Sequence, residues 1–147
     1  VNLLVNFYPN EPILSRSHVE HLQTGEPEQK IFGLSEYLLT KKYSQFLKLL
    51  SYQERMGEEG IRTFGFVVSQ VRKAVMIQDL SLRGQKPESV LDGNAYGIQI
   101  LDRQTKTWSQ ADLIQLYRDM AEIDHAIKYE GLNAYEALRG YVERNMI

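Results

Sequence analysis

The sequence predicts an all-α protein, a helical bundle around one long central helix at about residues 58–83. Three observations carry that expectation. Between Glu58 and Gly84 the chain reads EEGIRTFGFVVSQVRKAVMIQDLSLRG, without proline, and Ile61, Phe64, Val68, Val71 and Val75 recur at steps of three and four, as one face of a helix does. Phe66, Val67, Ala74, Ile77 and Leu80 spread apolar surface round much of the remaining girth, so other helices are expected to wrap this one. No stretch alternates as a half-buried strand would, and there is no internal repeat.

Taken in order, Leu3, Leu4, Phe7 and Tyr8 read as a helix ending stopped by Pro9 and Pro12. A chain that opens on such a run is expected to have been cut from a longer protein. Ser17 with Glu20 three residues on makes a capping box for a short helix that stops at Thr24-Gly25. Residues 26–29, EPEQ, read as a junction. From Lys30, the residues Ile31, Leu34 and Leu38 set a stripe to about Leu39, with Thr40 as the expected cap of the next helix. There Tyr43, Phe46, Leu47 and Leu50 repeat the stripe to about Met56, and Gly57 offers a stop. The central helix follows, joined by connections short enough to favour antiparallel neighbours.

Beyond Gly84, Pro87 suits a first helical position, whereas SVLDGNAY is interrupted by Gly93 and assigns no element. Asn94 is the expected cap of a helix carrying Tyr96, Ile98, Ile100 and Leu101. The clearest start in the chain is Ser109 as cap, with Asp112 three residues on and Trp108 placed to staple onto Leu113. Leu113, Leu116, Tyr117, Met120, Ile123 and Ile127 run from there to Gly131, a left-handed terminator. Asn133 with Glu136 opens a last helix that buries Leu138, Tyr141 and Val142.

Composition narrows the function. Hydrophobic residues make up 43% and charged residues 24%, which suffices for a core and argues against disorder. The net charge of −2, from 17 basic and 19 acidic residues well mixed, offers no basic field for nonspecific nucleic-acid binding. With no cysteine there are no disulfides, thiolate metal sites or cysteine nucleophiles, in keeping with a reducing cytosol. No apolar run approaches the roughly 20 residues of a membrane span, and no signal peptide is visible.

Candidate chemistry is sparse. The ten glycines are scattered and no GxxxxGK occurs, so a phosphate-binding loop is not expected. His18 and His21 stand at i and i+3 but lack a third ligand at metal spacing, and His125 stands alone beside Asp124. Trp108, with Arg103 and Lys106 nearby, could stack a base, although its place in a capping sequence favours the structural staple. Asp124 falls on the stripe 113, 117, 120, 124, 127, where a buried carboxylate would need a partner. Arg72 on the central helix is the favoured one, Lys128 four residues on the local one, and a wet position at the bundle rim the third reading. Nine tyrosines are many for this length, and Tyr129, Tyr135 and Tyr141 are candidates for an interface or for packing at the bundle edge.

Three stretches together resemble a known family. Residues 64–80, FGFVVSQVRKAVMIQDL, resemble the long helix with a Gln-x-Arg step in the C-terminal domain of the delta subunit of bacterial DNA polymerase III, part of the clamp loader. Residues 107–142 resemble that family's closing pair of helices through Trp108, Ser109, Asp124, Ile127, Lys128 and Leu138, and residues 31–50 are similar to the pair that precedes the long helix. The likeness covers about residues 30–144. Lys86–Leu101 departs from it, with Gly93 and no proline opening the next helix.

The resemblance implies a collar, residues 29–147, that packs with equivalent domains of other clamp-loader subunits in DNA replication, and residues 1–28 as the end of a preceding helical lid domain. It implies a cytoplasmic, non-catalytic piece of the DNA polymerase III holoenzyme that binds no cofactor. The sliding clamp and DNA would be reached through parts of the protein outside this chain. The alternative from a different class is a helical nucleic-acid-binding module using Arg72, Lys73, Arg103 and Lys106. A small helical enzyme is the third, and no constellation supports it.

Overall fold

A computed structural model describes residues 27–147 and holds seven helices and no strand among them. They are α1 (Pro27–Leu39), α2 (Tyr43–Arg55), α3 (Gly60–Leu82), α4 (Pro87–Val90), α5 (Ala95–Thr105), α6 (Gln110–Glu130) and α7 (Ala134–Asn145). The fold class is therefore all-α, as expected. The helix ending at residues 1–8 and the short helix capped by Ser17, with His18 and His21, lie outside the described residues. Leu34–Ile147 forms one compact unit; the other, Val1–Gly33, is described only from Pro27, where α1 begins.

The central helix is α3. It packs most extensively against α6, then against α5 and α7, while α2 lies on α7 and α4 on α5. Gln110 at the start of α6 meets Asp79 near the end of α3, so these two helices run antiparallel. The core gathers Phe46 and Leu50 from α2, Phe64, Val67, Val71, Ala74 and Ile77 from α3, and Leu113, Leu116 and Met120 from α6.

The buried stripe of α3 corrects the expected one. Thr63, Phe64, Val67, Val71, Ala74, Ile77 and Gln78 face inward, whereas Val68 and Val75 are only half-buried and Ile61 is 55% exposed. A helix with apolar side chains on several faces leaves the choice of face to its neighbours, and the steps 64, 67, 71, 74 fit the partners better than 61, 64, 68, 71. Nor is the helix sheathed all round, since Met76 and Leu82 are exposed as well.

Several starts stand where the residues put them. The Ser109 side chain accepts from the Asp112 amide at 3.1 Å, Asn133 from the Glu136 amide at 3.0 Å, and Asn94 from the Tyr96 amide at 2.8 Å. Pro87 opens the single turn of α4, and Gly131 closes α6 at φ 74°. Two expectations fail. The expected junction 26–29 is helical from Pro27, because proline's fixed φ and missing N–H suit a first turn. Thr40 caps nothing ahead of it; its hydroxyl donates back to the Glu36 carbonyl at 2.7 Å, within the last turn of α1.

The end of α1 is unusual. The Lys42 amide donates to the Tyr37 carbonyl at 2.8 Å and the Lys41 amide to that of Leu38 at 3.2 Å, a Schellman closure with Lys41 at the left-handed position. Its φ is 64°, where a side chain costs on the order of 1 kcal/mol relative to glycine. The Lys41 side chain offsets part of that cost: its ammonium donates to the Thr107 carbonyl at 2.9 Å and lies 4.6 Å from the centre of the Trp108 ring.

Candidate assembly surface

At the α3 C-terminal end, the linker between α5 and α6 is held from three sides. Gln78, only 6% exposed, directs its amide nitrogen at the carbonyls of Trp108 (2.9 Å) and Thr105 (3.3 Å). The Trp108 indole N–H donates to the Leu39 carbonyl at 2.8 Å, and Lys41 covers its ring. Trp108 is buried in the core cluster, so it presents no open platform for a base. Sequence reasoning missed Gln78, because a glutamine on a helix declares no role until its distant acceptors are placed.

At the opposite end, the α2–α3 and α6–α7 junctions meet. The Tyr135 hydroxyl donates to the Glu58 carbonyl at 2.8 Å, with the Thr63 hydroxyl 3.5 Å away. Gly60 opens α3 so close to α7 that a Cβ there would stand 3.1 Å from the Ala134 Cβ and 3.2 Å from the Tyr135 ring. Met56, Ile61, Tyr129 and Leu132 belong to these two junctions and are exposed.

Two of the three tyrosines named for an interface turn inward. Tyr135 and Tyr141 are buried, and Tyr141 donates to the Asp119 carboxylate at 2.6 Å, whose other oxygen accepts from Gln115 at 2.8 Å. Tyr129 is the one at the surface, 75% exposed, its ring 4.8 Å from that of His125. Asp124 is half-buried and meets Lys128 at 3.0 Å. Arg72 is exposed, and among the described residues makes no ion pair with Asp124. An i, i+4 pair of this kind contributes a few tenths of a kcal/mol.

The tyrosines couple stability to alkaline pH. Burial pushes the Tyr141 phenol well above the ordinary tyrosine range, and the hydrogen bond to Asp119 and that carboxylate's charge push further. Burial also raises Tyr43 and Tyr135. A raised folded-state pKa means that the contribution is fully present below the unfolded value of about 10, and is lost as pH rises above it. The urea midpoint is therefore expected to hold from neutrality to about pH 10 and to fall above it, and Tyr141→Phe to flatten that fall. Equal slopes for the two proteins would show that Tyr141 does not carry it.

Two shallow hollows mark the surface. One, of about 150 Å³, is bordered by Arg72, Lys73, Met76, Leu91, Asp92 and Ile98. The other, of about 450 Å³, is bordered by Glu36, Thr40, Ile100, Arg103, Gln104 and Thr107. Among the described residues no group of three or more histidines or carboxylates is placed to hold a metal ion, and no helix is long and apolar enough to cross a membrane.

Comparison with known proteins gives one result. The family described as DNA polymerase III delta subunit, C-terminal domain, matches residues 28–140. No curated protein and no solved structure matches the chain. The match spans most of the chain and takes in the whole succession of helices from α1 into α7. The chain therefore belongs to the family of C-terminal domains of the DNA polymerase III delta subunit.

Proposed function

We propose that this chain serves as the assembly, or collar, domain of a clamp-loader delta subunit. On this reading residues 29–147 pack beside other clamp-loader subunits in DNA replication, and residues 1–28 end a lid domain that precedes them. The domain does no chemistry, takes no cofactor and works in the cytoplasm, while the sliding clamp and DNA are met through other parts of the parent protein. The family match over residues 28–140 is the observation that carries this reading. The exposed Met56, Ile61, Tyr129 and Leu132 agree with it, since assembly surfaces rest on apolar and aromatic anchors.

A nucleic-acid-binding role has less support. Arg72 and Lys73 border one hollow and Arg103 the other, while Lys106 is engaged by Asp102 at 3.7 Å and Ser81 at 3.3 Å. The four cations thus do not line a single groove.

The test is size exclusion of the full-length parent protein together with clamp-loader subunits, with and without residues 29–147. Loss of the complex on deletion is the expected result. A complex that forms equally well without these residues would remove the assembly role.

A further inference from the structure

The hollow beside α3 has a composition that the packing of the chain does not use. Its apolar wall is Met76, 44% exposed, with Leu91 and the buried Ile98. A volume of about 150 Å³ is of the size that takes one benzene-like ring. Arg72 and Lys73 stand at its border and, among the described residues, neither has an ion pair or a side-chain hydrogen bond. Crowding by protein lowers the Lys73 pKa although much of the side chain is exposed, and the neighbouring Arg72 charge lowers it further. Two adjacent cations that repel each other beside an apolar wall call for an anion tethered to something greasy.

We infer that this hollow docks a short acidic segment of a partner protein, with one apolar side chain against Met76, Leu91 and Ile98 and a neighbouring carboxylate between Arg72 and Lys73. In naming a protein as the occupant, the inference rests on the reading of this chain as an assembly domain. The apolar wall favours a peptide over a nucleic-acid backbone: phosphates gain nothing from it, whereas an acidic peptide can place its charge on the cationic side and its hydrophobic residue inside.

The test is a titration of the isotope-labelled chain, followed by amide chemical shifts. The probes are a synthetic peptide with acidic residues flanking one phenylalanine, the same peptide with serine for phenylalanine, and an oligothymidylate. The acidic phenylalanine peptide is expected to shift amides in 69–76 and 91–98. The serine version is expected to bind about tenfold more weakly, and so is the first peptide to a chain carrying Arg72→Gln and Lys73→Gln. Both positions are exposed, and an unchanged melting temperature would show that the variant folds. The inference is overturned if no shifts appear, if the two peptides bind equally, or if the oligothymidylate shifts the same amides and displaces the peptide. Peptide binding that persists when deletion of residues 29–147 leaves clamp-loader assembly intact would end the assembly reading and leave the hollow standing. The reverse pair of results would end this inference alone.

Discussion

Gln78→Glu, the exchange of a single atom, is expected to lower stability at neutral pH by about 3 kcal/mol. The wild-type amide nitrogen donates to the carbonyls of Trp108 and Thr105. Exchanging that nitrogen for oxygen sets a buried carboxylate against two carbonyl oxygens, with no donor between them. Part of the loss should return on acidification, because a buried glutamate has a raised pKa and becomes a donor once protonated. The sign follows: the folded-state pKa lies above the unfolded value of about 4.3, so stability is greatest below that value and declines as pH climbs through the folded one. Gln78→Met keeps the bulk but removes the amide, leaving the two carbonyls without this donor and burying no charge, so about 1–2 kcal/mol is expected. Thermal melts at neutral and acid pH check the series, and a Gln78→Glu protein as stable as wild type at pH 7 would deny the amide its role.

Gly60→Val is the second large effect, expected to cost about 2–3 kcal/mol. The space for even a Cβ at this position is limited to 3.1 Å from Ala134 and 3.2 Å from the Tyr135 ring, and valine adds two further methyls. Tyr135 cannot yield freely, since its hydroxyl is engaged with the Glu58 carbonyl. Gly60→Ala should cost far less, because alanine's better helix propensity, about 1 kcal/mol, offsets part of the crowding. Ala134→Gly is expected to rescue Gly60→Val beyond additivity in a double-mutant cycle by urea unfolding. Strict additivity would mean that the strain lies elsewhere.

How far the sequence can be read follows from which interactions are local. Ser109, Asn133, Asn94 and Pro87 act within one turn of their own helix, and each stands where its spacing places it. Thr40 misleads because a hydroxyl at a helix boundary can serve either side, and only the left-handed Lys41 decides that it closes α1. The buried face of α3 depends on α5, α6 and α7 arriving together, which no window of sequence contains. Tyr135 and Tyr141 resemble Tyr129 as surface candidates until Glu58 and Asp119, 77 and 22 residues away, supply their acceptors. Gly60 carries no signal of its own within the expected central helix, because the close approach that demands it belongs to a helix that starts at Ala134.

The place of Trp108 has a practical consequence. It is the protein's one tryptophan, and Leu39 and Lys41 at the end of α1 and Gln78 on α3 clasp it or its linker. Nature has in effect installed an optical reporter at a single corner. Emission from that indole follows the opening of the corner, while circular dichroism follows every helix at once, so two superimposable melts would mean that the corner and the rest let go together.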